Sequence, residues 1–204
     1  MAELDVQPKK KSPWWIWLIV ALIIIVLAFL VRGCSDNKSA AISSIDSTVA
    51  VEASTVPDWD HVNFDSPNAS FEEITDSSVS VRGNDNYTIY GLGENVLFAS
   101  GKSAVQGSAE MQLNQISRSL ERRFKDSPIA VYGNTDDIGD AGQNKALGQE
   151  RAEAVKQWLV KNAGITDQQI TVRSRGQSDP VASNATESGR KMNRRVEIVV
   201  MKQK

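Results

Sequence analysis

The sequence is poor in the residues that most enzymes depend on. It has one cysteine, Cys34, and one histidine, His61, among 204 residues. A single cysteine excludes a disulfide framework, and the pair excludes a Cys/His zinc site. No Ser-His-Asp or Cys-His machinery can be assembled unless His61 carries it alone, and beside Asp60 it reads as a solvated side chain. Charge of one sign is also lacking: 23 Lys and Arg face 25 Asp and Glu, a net charge of −2, which argues against nucleic-acid binding through bulk charge. Gly91-Leu92-Gly93 is not completed to a phosphate loop: Val96 stands where either Gly-x-Gly-x-x-Gly or a Gly-x-x-x-x-Gly-Lys-Ser/Thr ending at Ser103 would need glycine. What remains is carboxylate and guanidinium chemistry, or binding. No cofactor is expected.

The chain is uneven along its length. Residues 1–34 hold four basic and two acidic residues, residues 35–86 two basic and ten acidic, and residues 87–204 seventeen basic and thirteen acidic. Residues 14–31, WWIWLIVALIIIVLAFLV, open on Trp14, close on Val31 and contain no polar or charged side chain. At about 1.5 Å per residue such a helix reaches roughly 27 Å, enough to span a lipid bilayer. Trp14, Trp15 and Trp17 suit the membrane interface, and Lys9, Lys10 and Lys11 mark the preceding side as cytoplasmic. A cleaved secretory signal has a shorter apolar core and leads into small residues, whereas Arg32 follows here. Arg32 also departs from a lipobox, so Cys34 reads as a small residue at the membrane edge.

Residues 35–58 are rich in Ser, Ala, Thr and Asp without sustained periodicity, the composition of a tether. Four segments follow: a cytoplasmic tail over 1–13, a transmembrane helix over 14–31, an acidic periplasmic linker over 32–86 that is partly ordered at most, and a folded domain over 87–204. In that domain Tyr87 to Ile89 and Asn95 to Phe98 predict β structure, with a bend or hairpin at Gly91 and Gly93. Ser108 predicts an N-cap, and Leu113, Ile116, Leu120 and Phe124 form the apolar stripe of a first helix. Ile129 to Tyr132 predicts a buried strand, residues 143–162 a second helix ending before Gly164, residues 170–175 a third strand, residues 186–193 a short helix and residues 194–201 a last strand. Strands alternating with helices give an α+β or α/β layout.

One residue breaks the pattern of the second helix. On a wheel at about 100° per residue, Arg151 falls among Leu147, Ala154, Val155 and Trp158. A guanidinium there needs an anion or several acceptors. Asp136 and Asp137, in the loop leading to the helix, are the nearest obvious carboxylates, and Asn144 shares the face of Arg151. Two readings follow: an internal brace between Arg151 and Asp136, or a clamp whose carboxylate holds an ammonium group and whose guanidinium holds a carboxylate. A third reading makes Asp136, Asp137 and Asp140 a metal or catalytic site, but no general base or ligand spacing accompanies them.

GNTDDIG from Gly133, the NxxLxxxRAxxVxxxL pattern through Asn144, Leu147, Arg151, Ala152, Val155 and Leu159, GQSDPV from Gly176 and NRRVEI from Asn193 resemble the OmpA-like C-terminal domain, the peptidoglycan-associating module shared by OmpA, Pal and MotB proteins. With VLF before the first helix, the resemblance covers most of the folded part. It implies an α+β fold, a β-α-β-α-β mixed sheet packed against two main helices, here preceded by one transmembrane helix and a linker. It implies non-covalent binding of peptidoglycan through the diaminopimelate of the stem peptide, with Asp136 on its amino group and Arg151 on its carboxylate. Asn144, Thr135, Leu147 and Phe98 are implied near the pocket, while Ala99 stands where some relatives carry Asp. For Arg194 and Arg195, in the closing motif, a structural role at a strand edge is as well supported.

The expectation is a bacterial cell-envelope protein, not an enzyme, that links membrane to cell wall with its N-terminus cytoplasmic and its domain periplasmic. Its partners would be peptidoglycan and the lipid bilayer, with no nucleic acid and no metal. An outer-membrane barrel has no room before Tyr87. The layout resembles a MotB-type stator, but residues 14–31 lack the acid that proton conduction requires. A Pal-type lipoprotein, if Cys34 is lipidated, and a scaffold for other envelope proteins remain as alternatives.

Overall fold

The computed structural model describes residues 57–203. The expected tail, transmembrane helix, Cys34 and most of the linker lie outside the described residues, and among those described no helix is long and apolar enough to cross a membrane.

Strands β1 (Val79–Gly83), β2 (Tyr87–Gly93), β3 (Ile129–Asn134), β4 (Ile170–Gly176) and β5 (Arg195–Met201) form one sheet in the order β1-β2-β5-β3-β4. Only β3 and β4 are parallel; the other neighbours are antiparallel. Helices α1 (Glu94–Leu97), α2 (Glu110–Arg123), α3 (Ala141–Ala163) and α4 (Glu187–Asn193) connect them. The expected mixed sheet with two main helices is therefore present, with β1 added at its edge.

The stripe Leu113, Ile116, Leu120 and Phe124 is buried as its spacing requires, packing α2 on the same sheet face as Val131, Val196, Ile198 and Val200. Helix α3 begins with Asp140, whose carboxylate accepts from the Gly142 and Gln143 amides at 2.9 and 3.0 Å. It ends at Gly164, whose φ of 66° is the left-handed turn that glycine adopts without strain.

Three local expectations are corrected. Asn95 to Phe98 is not strand: residues 94–97 turn as α1, and Gly91 and Gly93 lie inside the continuous strand β2. Gly91 is tolerated there because Ser80 fills its place, with Oγ 2.5 Å from where a Cβ would stand. The hairpin instead joins β1 to β2, its turn held by Asn84, whose side-chain oxygen accepts from the Asn86 and Tyr87 amides. Ser108 does not cap α2; it lies in a 3-10 turn, Gly107–Ala109, closed by the backbone bond from Ala109 to Gln106.

Residues before Tyr87 pack on the sheet as well. Trp59, Val62 and Phe64 are buried against Ile89, Ala130, Tyr132 and Val199 on the sheet face opposite the helices. An acidic composition concealed this packing because only a few apolar anchors are needed to cover one face of a sheet.

Candidate functional site

Asp136 follows β3 by two residues, and Arg151 sits almost three turns into α3. What brings them near each other is the contact between β3 and α3 at Gly133 and Gly148, where a Cβ on Gly133 would meet the Gly148 carbonyl oxygen at 1.9 Å. Only two glycines permit that approach.

Both charges are nearly buried, and they do not pair with each other. The Arg151 side chain is 5% exposed and donates from Nη2 to Glu94 Oε1 at 2.5 Å. The Asp136 side chain is 11% exposed; its Oδ2 accepts from Arg194 Nη1 at 2.6 Å, and its Oδ1 accepts from the Ile138 amide. In place of the internal brace, one of the two readings above, there are two separate pairs. Arg194 joins them, with Nε 3.4 Å from Glu94 Oε2 and Nη2 donating to Glu187 at 2.9 Å. The result is an alternating row, Asp136, Arg194, Glu94, Arg151. Hydrogen bonding to Asp136, and then to Glu187, holds the Arg194 guanidinium above its ordinary pKa, while Arg194 and then Arg190 hold the Glu187 carboxyl below its own.

The other expected residues fall around this row. The buried Asn144 amide donates to Gln177 Oε1 at 2.7 Å, the Ile138 carbonyl at 3.0 Å and the Asp136 carbonyl at 3.3 Å, so it shapes the loop that carries Asp136. Thr135 is buried, its hydroxyl donating to the Asp136 carbonyl and its amide to that of Gly176. The Phe98 ring is buried, its centroid 5.7 Å from the Arg151 guanidinium carbon. Leu147 is half-buried, one turn before Arg151. Asp140 caps α3 and Asp136 pairs with Arg194, so these two carboxylates are engaged elsewhere than in a shared ligand set.

A groove of about 420 Å³ opens beside the row, lined by Glu94, Asn95, Phe98, Ala99, Ser100, Gln106, Lys191 and Arg194. Glu94 had no place in the sequence reading. No local signal marks it: the β2–β5 register pairs Gly93 with Arg195 and so sets Glu94 beside Arg194, and the Glu94 amide donates to the Arg194 carbonyl at 2.9 Å.

The model of the OmpA family matches residues 97–194, from the last residue of α1 to Arg194. Over these residues the sequence is that of the OmpA family. The outer-membrane lipoprotein YfiB of Pseudomonas aeruginosa is 37% identical over 111 residues, 54% of this chain and 65% of that protein. The peptidoglycan-binding protein ArfA of Mycobacterium tuberculosis is 38% identical over 100 residues, 49% of this chain and 30% of that protein. The chain thus spans less than two thirds of the length of either relative. Among solved structures, the cell wall anchor of the T6SS from Pseudomonas aeruginosa is similar with a TM-score of 0.56 and 29% identity, over 62% of this chain and 89% of that one. The OmpA-family match ends at Arg194 and leaves out β1, β2, β5 and the segment packed on the outer sheet face.

Proposed function

We propose that this chain is a membrane-anchored envelope protein whose OmpA-family domain binds peptidoglycan non-covalently through diaminopimelate, linking membrane to cell wall. Asp136 takes the ligand's ammonium group and Arg151 its carboxylate, while Thr135, Asn144, Leu147 and Phe98 shape their surroundings. The observation that carries the reading is the placement of a nearly buried carboxylate and a nearly buried guanidinium on two elements fixed by the Gly133–Gly148 contact, behind a polar groove. A buried Arg and Asp on adjoining elements suit a zwitterion, because each ligand charge meets its complement where water is scarce. The names of ArfA and of the Pseudomonas aeruginosa anchor support the ligand class.

The anchor rests on residues 14–31 of the sequence, with the domain on the periplasmic side. Lipidation at Cys34 is the alternative attachment, and metabolic labelling with a fatty-acid analogue distinguishes the two. The chain acts by binding and carries out no reaction.

The test is co-sedimentation of the full chain, purified in detergent, with diaminopimelate-type peptidoglycan sacculi. Wild-type chain in the pellet, with Arg151→Ala and Asp136→Ala left in the supernatant at unchanged melting behaviour, supports the reading. Wild-type chain left in the supernatant overturns it.

A further inference from the structure

Each of the two charges assigned to the ligand already has an internal partner. Glu94 sets a carboxylate on Arg151 where the ligand's carboxylate is to sit, and Arg194 sets a cation on Asp136 where the ligand's ammonium group is to sit. Glu94 and Arg194 line the groove, whereas Asp136 and Arg151 lie behind them. A zwitterion therefore reaches its two sites only by moving this pair.

The pair has somewhere to go. Glu94 Oε2 has no hydrogen-bond partner, and Arg194 Nε already lies 3.4 Å from it. The backbones of the two residues are tied by the bond from the Glu94 amide to the Arg194 carbonyl, so small side-chain rotations suffice to close them on each other. Glu187, on Arg194 at 2.9 Å, gives the guanidinium a second acceptor throughout.

We infer that Glu94 and Arg194 are internal substitutes for the ligand's two charges, and that binding is an exchange of partners. The ligand's ammonium group replaces Arg194 on Asp136, its carboxylate replaces Glu94 on Arg151, and Glu94 and Arg194 then pair with each other. This rests on the assignment of Asp136 and Arg151 to the ligand. The exchange favours a ligand with both charges. After a full exchange every charge has one partner, whereas an amine alone leaves Arg151 and Arg194 to share Glu94, and a carboxylate alone leaves Asp136 and Glu94 to share Arg194. Before binding, the exchange keeps both deep charges paired, so the empty site has no stranded ion.

The test compares Glu94→Gln and Arg194→Gln with wild type by co-sedimentation of the full chain in detergent with diaminopimelate-type sacculi, with free diaminopimelate as competitor. Asp136→Ala and Arg151→Ala are the controls. Removing an internal competitor frees one deep charge, so each Gln variant is expected to bind about three- to tenfold more tightly than wild type. Glu94→Asp, which keeps the charge but shortens its reach, is expected to move in the same direction by less, and it serves if Glu94→Gln melts early. If the Ala controls lose binding while the Gln variants bind equally or more weakly than wild type, Glu94 and Arg194 contact the ligand themselves or stand apart from it, and the exchange is overturned. If either Ala control retains wild-type binding, the assignment of the deep charges fails instead.

Discussion

Gly133 of β3 and Gly148 of α3 touch backbone to backbone: a Cβ on Gly133 would stand 1.9 Å from the Gly148 carbonyl oxygen, and one on Gly148 would stand 2.4 Å from Ser174 Oγ and 2.8 Å from the Gly133 carbonyl. The contact sets how far Asp136, three residues after the first glycine, lies from Arg151, three residues after the second. Gly133→Ala is expected to destabilise the domain by about 1–3 kcal/mol, because helix and strand must separate to admit the methyl group. Gly148→Ala is expected to cost less, since alanine recovers part of the loss, about 1 kcal/mol, through helix propensity. Thermal or urea unfolding ranks the two, and equal stability of Gly133→Ala and wild type contradicts the packing described.

A second ion cluster lies in the sheet and carries stability. Glu197 of β5 is completely buried, bonded by Arg82 of β1, by Arg195 at 3.1 Å and by the Asn134 amide at 3.1 Å. Arg82 also donates to the Phe64 carbonyl at 2.7 Å, so the cluster ties the outer segment to the sheet. Glu197→Ala removes the anion that two largely buried guanidinium groups share, and is expected to cost about 3–5 kcal/mol in chemical denaturation. Glu197→Gln keeps the shape and some of the bonds, and its loss is expected to fall between wild type and Glu197→Ala.

The helices and inner strands were legible because their signals are local. The stripe from Leu113 to Phe124, the Gly164 stop and the apolar run at Ile129 each need only a few neighbouring residues to be read. Arg151 was legible as an anomaly on its own helix, though its partner was not: the sequence pointed to Asp136 in the loop before the helix, while the carboxylate bonded to it is Glu94, 57 residues away. That pairing depends on the β2–β5 register, which no local pattern encodes. The start of the fold was hidden for a related reason. Trp59, Val62 and Phe64 are spaced irregularly in an acidic stretch, and their burial is decided by the sheet face they meet.

Glu73 links acid stability to one ion pair. Its Oε1 accepts from Arg123 Nε at 2.5 Å and Ser119 Oγ at 2.6 Å, and its Oε2 accepts from Arg123 Nη2 at 2.9 Å. The Arg123 bonds, and after them Ser119, lower the Glu73 pKa from 4.5 to about 2. A depressed carboxyl stabilises the fold fully above its unfolded value and loses that contribution as the pH falls through the folded one. Wild type is therefore expected to lose stability relative to Glu73→Gln as the pH drops from 4.5 to about 2, and to exceed that variant by about 1–2 kcal/mol at pH 7. Asp58, Asp76 and Glu187 are also lowered, so the difference between the two proteins, not either curve alone, reads Glu73. Parallel curves across this window would remove Glu73 from the account.

The segment over the outer sheet face belongs to the domain, although the family match begins well after it. Trp59 is buried and its carbonyl accepts from the Tyr132 hydroxyl at 3.0 Å, while Asp60 pairs with Arg173 at 2.5 Å. The Arg175 guanidinium carbon lies 3.8 Å from the Phe64 ring centroid and 5.3 Å from that of Tyr132, roofing the same cluster. Removing the segment exposes Ile89, Tyr132 and Val199 together and takes β1, with Arg82, away from Glu197. A chain shortened to begin at Tyr87 is expected to bind a hydrophobic dye and to aggregate, whereas one beginning at Pro57 is expected to unfold cooperatively. Trp59→Ala in the full chain tests the same face without truncation, with an expected loss of about 3–5 kcal/mol. A chain beginning at Tyr87 that unfolds as cooperatively as the longer one, with no added dye binding, would show that the sheet can leave this face bare.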